Sequence, residues 1–457
     1  MIYSNICNQI NMDRGEKRLS KVTAKNQLQG KEIKKGYLDE AVHGYNTRTA
    51  MEEAARCVLC YDAPCSKGCP ADTKPADFIR SIRFRNFKGA AATIREANAL
   101  GGCCAKVCPY DRLCEEACSR TGIDRPIQIG KLQAFAVDIE KKFNMKILEA
   151  KEATKEKVAC IGAGPASLSC ASRLAREGYQ VTIFESFDKP GGMLTYGIIL
   201  SRLPQDVVDF DIEKVKELGV KFVFNTKVGQ DVTIDDLKEQ GYKAFFIGTG
   251  LWKPRKIDIP GADLKGVRYA IEFLKEARSS KGEMKVDGNV IVIGGGNVAM
   301  DCAATAKLLG AERVTIVYRR TIEEAPADIA EIEYVQSLGI SIITKYAPKE
   351  ILEDDGKVAG LIAAGTDDFS ELKLKADMIV FAIGQEAEDM RKIVPAIELN
   401  ENGTISCDIA KGFTNIEGIF AAGDIVNGGK TVVEAVAQGK SVAESIMKYL
   451  SQKEGVN

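Results

Sequence analysis

The sequence predicts an α/β protein: a small all-helical N-terminal module followed by two Rossmann-like nucleotide-binding units, the second inserted in the first. Three observations predict it. Nine of the fourteen cysteines fall between Cys57 and Cys118, in a stretch whose apolar residues recur at helical spacing. Beyond Lys157 the character changes, and two segments each run strand, glycine turn, helix, strand: VACIGAGPASLSCASRLAREGYQVTIFE and NVIVIGGGNVAMDCAATAKLLGAERVTIVYRR. A further apolar strand ending in Gly423-Asp424 follows the second segment, so the chain returns to the first unit. With 457 residues there is room for several domains and for large cores.

The cysteines come in two runs. The first reads C-x2-C-x4-C-x3-C-P (Cys57, Cys60, Cys65, Cys69, Pro70) and the second C-x3-C-P-x4-C-x3-C (Cys104, Cys108, Cys114, Cys118). Thiolates are soft ligands, and such spacing lets a short loop wrap a compact metal centre. The C-x3-C-P ending is a ferredoxin-type signature whose last cysteine often serves the other cluster. Two runs therefore predict two [4Fe-4S] clusters with exchanged ligands. Structural zinc would favour paired CxxC motifs, and only one is present. Disulfides would need an oxidising compartment and usually a short secreted chain.

The formal net charge of −1 gives no reason to expect nucleic acid or an anionic membrane as a partner. The N-terminal stretch has no apolar run resembling a signal peptide, and no segment is apolar for long enough to cross a bilayer. The expected location is the reducing cytoplasm. Residues 1–45 read as a polar arm leading to a helix near Thr47–Cys60. His43 is the sole histidine, and with no acid–base partner in sight it reads as a surface residue, which argues against histidine-based catalysis. Between the cysteine runs Phe78, Ile79, Ile82, Ala90, Ala91 and Ile94 mark two helices, with Phe84 and Phe87 expected in the core. A helix over 126–145 follows. The domain boundaries expected are 1–150 for the helical module, 151–285 with 395–457 for the first nucleotide-binding unit, and 286–394 for the second.

In the first unit, Gly162-x-Gly164-x-x-Ser167 opens a helix after an apolar strand. The first glycine makes the tight turn, and the second lets backbone approach a pyrophosphate at the helix N-terminus. Ser167 replaces the usual third glycine or alanine but is small enough for helix–strand packing. Glu185 ends the next strand, placed for ribose hydroxyls. In the second unit, Gly294-x-Gly296-x-x-Ala299 repeats the pattern, and its second strand ends at Tyr318-Arg319-Arg320 with no carboxylate. Arginines there suit a 2′-phosphate. The first unit is thus expected to hold FAD and the second a nicotinamide, NADP favoured over NAD. AFFIGTG (244–250) and MIVFAIGQ (378–385) read as strands ending in glycine turns beside the cofactors.

GAGPAS, GGGNVAMD, VYRR, FAIGQ and AAGD, in this order behind a two-cluster helical module, resemble the glutamate synthase small-subunit family. CVLCYDAPC, GAGPASLSCAS and IGKLQAF are most similar to its dihydropyrimidine dehydrogenase branch. The resemblance implies one cluster on Cys57, Cys60, Cys65 and Cys118. It implies a second on Cys69, Cys108, Cys114 and, unusually, the side-chain oxygen of Gln133. Cys103 and Cys104 would not be ligands, and Cys7, Cys160, Cys170, Cys302 and Cys407 would be buried or incidental thiols. For FAD the resemblance implies Gly162, Gly164, Pro165, Ala166, Glu185, Gly192, Met193, Arg202, Asp424 and Val432. For the nicotinamide it implies Gly296, Asn297, Val298, Arg319, Arg320 and Gly384. The stretch TYGIILSRLP (195–204) departs from the family's YGIP-x-FRLP at Ile199 and Ser201, while Arg202, Leu203 and Pro204 remain.

The chemistry so implied is hydride transfer from nicotinamide to flavin and single-electron release through the clusters. The cofactors carry it, so no catalytic side chain is expected. The branch needs an FMN-bearing barrel of about 250 residues for the pyrimidine, which this chain lacks. The implied partner is therefore an FMN-containing, dihydroorotate-dehydrogenase-like subunit in a hetero-oligomer that reduces uracil or thymine. Rival readings are a glutamate synthase or ferredoxin:NADP oxidoreductase-type subunit, and, from another class, a non-catalytic metal-bound redox sensor or scaffold. A thioredoxin-reductase-like disulfide reductase would need a CxxC in the second unit, where Cys302 stands alone.

Overall fold

The computed structural model describes residues 36–41 and 44–454. The expectations for residues 1–35, Cys7 and His43 lie outside the described residues. The helical module starts with α1 (Thr47–Ala55). Asn46 caps it through a reciprocal pair of bonds: Thr49 N donates to Asn46 Oδ1 at 3.0 Å and Asn46 N to Thr49 Oγ1 at 3.1 Å. The helix expected to reach Cys60 stops at Ala55. The chain leaves it to turn its cysteines inward, and Leu59 takes a left-handed φ of +53° between Cys57 and Cys60. Then come α2 (Pro75–Arg83), opened by proline, α3 (Phe87–Ala97), capped by Asn86, and α4 (Gly101–Val107). Next is α5 (Ile129–Lys142), shorter than the expected 126–145 at both ends. Phe78, Ile82, Ile94, Leu132 and Phe135 form the core between these helices. Phe84 corrects the expectation of burial: it is 70% exposed at the end of α2. Phe87 packs edge-on against Phe135, ring centroids 5.5 Å apart.

The first nucleotide-binding unit runs β1 (Lys157–Ile161), α6 (Pro165–Arg176), β2 (Gln180–Phe184), α7 (Gln205–Glu217), β3 (Lys221–Val223) and β4 (Tyr242–Ile247). A short β5 (Lys253–Pro254) leads out of it. The second unit runs β6 (Val267–Tyr269), α8 (Ala270–Ser279), β7 (Asn289–Ile293), α9 (Asn297–Leu308), β8 (Arg313–Tyr318), α10 (Ile329–Ser337) and β9 (Ser341–Thr344). An antiparallel sheet of β10 (Tyr346–Asp354), β11 (Lys357–Gly365) and β12 (Glu371–Lys375) is added, then β13 (Met378–Phe381). The chain returns through β14 (Gln385–Glu386), which pairs antiparallel with β5, to β15 (Ile419–Ala421) and α11 (Val432–Glu454).

Two parallel sheets result, ordered β15-β4-β1-β2-β3 and β6-β13-β7-β8-β9. Pairing of β15 with β4 makes the first unit discontinuous. The strands β1 and β7 are buried along nearly their whole length, as both-face coverage by helices requires. The pairings also move the expected boundaries. Because β6 pairs with β13 and α8 contributes Phe273 and Leu274 to the second core, that unit begins before Val267 rather than at 286. Met390 and Val394 pack in the core of the first unit, so the second ends before Met390 rather than at 394. The glycine-turn strand at 289 is the strongest local signal, but it is not the first strand of its unit.

A buried ionic joint locks the helical module to the first unit. Arg95 on α3 donates through Nε to Glu140 on α5 at 2.7 Å and through Nη1 to Asp211 on α7 at 2.6 Å, all three side chains being inaccessible. The other Asp211 oxygen accepts Cys103 N at 2.7 Å, so a carboxylate from the first unit binds the first turn of α4. Gly102 is required there, since a Cβ would sit 2.8 Å from that carboxylate.

Candidate functional site

Cys57, Cys60, Cys65 and Cys118 line one small cavity, closed on its inner side by Ala76, Ile79, Ile127 and Ile129. These are the four cysteines that the resemblance groups, the last of them coming from the second run. The Cys60 thiol lies 3.3 Å from Ser119 Oγ. Burial pushes the Cys65 thiol up to about 11, with Cys118 and Cys57 adding to it, and burial likewise raises Cys57. Neutral thiols held this way must release protons to become metal ligands. Among the described residues, no three His, Cys, Asp or Glu side chains converge on a point suited to a single metal ion.

A second group stands where the helical module meets the first unit. A hydrogen bond to Cys104, then burial, hold the Cys108 thiol well above its ordinary range, and Cys104, Cys114 and Cys69 act in the same direction through their charge. Burial does the same to Cys114, followed by Glu115, Cys69 and Cys65. Cys69 Sγ is 3.0 Å from Thr73 Oγ1. Gln133 is buried on α5, and its Nε2 donates to the carbonyl of Gly101, on the helix of Cys104, at 2.7 Å. That bond uses the amide nitrogen and leaves the oxygen as an acceptor. The three thiols of Cys69, Cys108 and Cys114 are a soft donor set of the kind an iron–sulfur cluster takes. Cys103 is buried elsewhere, and Cys160, Cys170 and Cys302 are buried in the two nucleotide-binding units, with Cys407 half-buried.

A cleft of about 740 Å³ opens at the C-terminal ends of the strands of the first sheet and reaches the second unit. Gly162, Gly164, Pro165 and Ala166 line it at the turn from β1 into α6. Gly162 has φ +89°, and a Cβ there would meet the carbonyl of Gly248 at 2.9 Å; Gly164 has no such neighbour within 3.8 Å, so its backbone faces open space. Ser167 is fully buried, its Oγ filling the space a Cβ on Gly248 would need. That is why a small side chain suffices at this position. Glu185, at the end of β2, accepts Ala163 N at 2.6 Å and Phe187 N at 2.9 Å, while burial raises its proton affinity. Gly192, Met193, Asp424 and Val432 complete the expected set on the lining. Thr431 and Glu434 cap the N-terminus of α11 at this wall. These residues fit a dinucleotide flavin: two helix N-termini for phosphate and polar ring atoms, a carboxylate for ribose, and glycine backbone at the closest approach.

Arg202 also lines the cleft, but its guanidinium is engaged by the second unit. Nη1 lies 2.9 Å from both oxygens of Asp301 on α9, and Nε 2.7 Å from Glu331 on α10. The departing residue Ile199 is fully buried and packs in the core of the second unit, so this stretch serves the joint between units. Of the nicotinamide set, Asn297, Val298 and Gly384 line the same cleft. Gly296 is the N-cap of α9, and Arg319 and Arg320 stand exposed just past β8. Neither arginine forms an ion pair among the described residues.

Several lining residues escaped the sequence reading. Asp328 accepts Asn297 Nδ2 at 2.7 Å and returns a backbone bond to Asn297 Oδ1 at 2.8 Å, folding residues 321–328 over the second glycine turn. Arg112, from the helical module, reaches the same carboxylate at 2.5 Å. The sole tryptophan, Trp252, lines the cleft and packs edge-on against Phe187 at 4.8 Å. Its rarity and its place just after the GTG turn are the only signals that could have found it. Val107 and Pro109 line the cleft as well. Cys108 lies between them in the chain, so the second cysteine group adjoins the dinucleotide cleft.

Residues 34–145 match the model of the dihydropyrimidine dehydrogenase domain II, 4Fe-4S cluster, family, and residues 156–439 that of pyridine nucleotide-disulphide oxidoreductases. The chain is 42% identical over 416 residues to the NAD-dependent dihydropyrimidine dehydrogenase subunit PreT of Escherichia coli O157:H7, covering 91% of this chain and 97% of that one. It is 38% identical over 430 residues to the NADP(+)-dependent formate dehydrogenase subunit beta of Moorella thermoacetica, covering 85% of this chain and 60% of that one. Among solved structures, thioredoxin reductase of T. acidophilum shares the fold at 21% identity and a TM-score of 0.53, over 66% of this chain and 100% of that one. Mycobacterium tuberculosis FprA in complex with NADPH does so at 20% identity and a TM-score of 0.55, over 66% and 86%. The chain belongs to the PreT family of NAD-dependent dihydropyrimidine dehydrogenase subunits, and is an oxidoreductase in which a 4Fe-4S module precedes FAD- and NAD(P)-binding units.

Proposed function

We propose that this chain is the electron-input subunit of a cytoplasmic dihydropyrimidine dehydrogenase. It takes electrons from NAD(P)H and passes them through its clusters to an FMN-containing, dihydroorotate-dehydrogenase-like partner that reduces uracil or thymine. The observation that carries the reading is the position of Cys108: its two chain neighbours line the dinucleotide cleft, so a cluster on the second cysteine group borders the flavin. A flavin held in this cleft would supply two-electron exchange with reduced nicotinamide and one-electron exchange with iron–sulfur centres.

The side chains bind and orient. Gly162 and Gly164 admit the pyrophosphate to the N-terminus of α6, Glu185 holds the ribose, and Asp424 and Val432 meet the far end. Cys69, Cys108, Cys114 and Gln133 hold the cluster beside the cleft, and Cys57, Cys60, Cys65 and Cys118 the outer one. No residue is needed to move a proton at a reacting carbon, which accords with the chain's single histidine.

Arg319 and Arg320, exposed and without ion-pair partners among the described residues, support NADP(H). NAD(H) is the second reading, favoured by the name of the PreT relatives; the Moorella relative is named for NADP(+). The partner is inferred from the relatives' designation as subunits.

The test is an anaerobic preparation assayed for iron, labile sulfide and FAD, then incubated with an FMN-containing, dihydroorotate-dehydrogenase-like subunit, NADH or NADPH, and uracil. Two clusters, one FAD and nucleotide oxidation that depends on both subunits are expected. A folded protein with zinc and no sulfide, or uracil reduction that proceeds equally without this chain, would sink the proposal.

A further inference from the structure

The C-terminal helix carries a cation that neither nucleotide site uses. At its start, Val432 and Ala435 line the cleft. One turn further, Gly439 presses against the backbone of Ala166, where a Cβ would come within 2.1 Å of a carbonyl oxygen. The next residue, Lys440, reaches across to the helical module. Its Nζ donates to the carbonyl oxygens of Ala71 at 2.7 Å and Ala97 at 3.1 Å. Ala71 belongs to the turn Cys69-Pro70-Ala71-Asp72, which Asp72 N closes on the carbonyl of Cys69 at 3.0 Å.

Lys440 forms no ion pair among the described residues. Burial lowers its proton affinity, and the negative groups that act against this are Asp72, which is exposed, and Cys69. A half-buried ammonium held only by carbonyl dipoles is stabilised by a nearby anion. The cluster assigned to Cys69 is such an anion.

We propose that Lys440 is a positioning and tuning residue for the cluster at Cys69, Cys108, Cys114 and Gln133: its fixed positive charge favours the reduced cluster, and its two hydrogen bonds pin the Cys69 turn to the helix that walls the flavin cleft. This rests on the cluster assignment above. The quantity affected is the one-electron reduction equilibrium of that cluster. Lys440 keeps its proton and its bonds throughout. The neutral Gln133 oxygen, in place of a fourth thiolate, acts in the same sense by leaving less negative charge on the centre.

The full-length protein, prepared anaerobically with its FAD and clusters, is titrated potentiometrically and followed by EPR. Wild type, Lys440→Met, Lys440→Gln and Lys440→Arg are compared, with iron, sulfide and FAD content measured on each. At a fixed potential the reduced-to-oxidised ratio of one cluster is expected to fall about tenfold in the Met and Gln variants, a shift of about 59 mV for one electron. The other cluster keeps its midpoint, and Lys440→Arg stays within about twofold of wild type. Equal midpoints throughout, a Lys440→Arg shift as large as that of Lys440→Met, or parallel shifts in both clusters would overturn the proposal. If Lys440→Met loses iron, the Gln and Arg variants decide by the same criterion. A wild-type protein with fewer than two clusters would instead overturn the functional reading.

Discussion

At Gln133 one side chain decides whether the proposed inner cluster carries three thiolates or four. The buried amide gives its nitrogen to Gly101 and keeps its oxygen free to accept. Gln133→Cys should add a negative charge to the centre and lower its midpoint, roughly a tenfold change or more in the one-electron equilibrium, read by EPR titration. At the other end of the electron path, replacing both Arg319 and Arg320 with Ala should raise KM for NADPH about 10- to 100-fold, the loss of charge-assisted contacts, while KM for NADH changes by less than about threefold. Equal effects in steady-state dye reduction would remove the phosphate assignment. Glu115 supplies a pH test. Burial pushes it up to about 7 from an ordinary 4.5, against the opposing backbone donors of Gly130 and Ile129. The folded state therefore binds this proton more tightly than the unfolded chain. The resulting stabilisation is complete below about 4.5 and is lost as pH rises through about 7. Glu115→Gln keeps an acceptor for Gly130 N and should raise Tm over wild type at pH 8 but little at about pH 4, a gain of roughly 1–3 kcal/mol at pH 8.

Among the elements, α4 takes its cap from another unit: its N-cap, Leu100, offers no side-chain oxygen, and its first turn is satisfied by Asp211 from α7. Asp211 is in turn neutralised by Arg95, which also holds Glu140. Removing one member of a buried ionic group leaves the others uncompensated, so Asp211→Ala should destabilise by about 3–5 kcal/mol. The measurable result is a drop in Tm, accompanied by altered EPR of the cluster next to α4 if that helix loosens. Elements also differ in how openly the sequence announces them. The hairpin of β10 and β11 turns on Asp355 and Gly356, both at positive φ (+51° and +72°), and Asp-Gly is the residue pair such a tight turn demands. No comparable signal exists for β6, three residues long, which is a strand only because β13 lies beside it.

For the whole molecule, three pieces meet at one cleft. The first unit supplies its floor, the second supplies Asn297 and Asp328, and the helical module supplies Val107 and Pro109. Arg202–Asp301, Arg112–Asp328 and the Arg95 joint cross the three boundaries between these pieces. The cleft is a property of the assembly, so removing one cofactor type should leave the others functional in part. Destroying the clusters by oxidation and chelation should leave flavin bleaching by NAD(P)H within about twofold in rate, while transfer to the FMN partner is abolished; stopped-flow absorbance separates the two steps. Loss of flavin bleaching along with the clusters would mean the clusters are structurally required for the cleft.

The sequence by itself determined the order of the units, the two glycine turns, the change of charge from Glu185 to Arg319 and Arg320, and the cysteine inventory. These are local matters: a phosphate turn needs its glycines within a few residues, and a strand and helix declare themselves by periodicity. It also showed that one unit interrupts the other. Only the tertiary structure decided that the second unit starts before Val267, and that Arg202 faces Asp301 and Glu331. Each of these depends on residues far apart in the chain brought into contact by packing. A one-dimensional pattern fixes which side chains are available, and burial and ion pairing between units select the partners they meet.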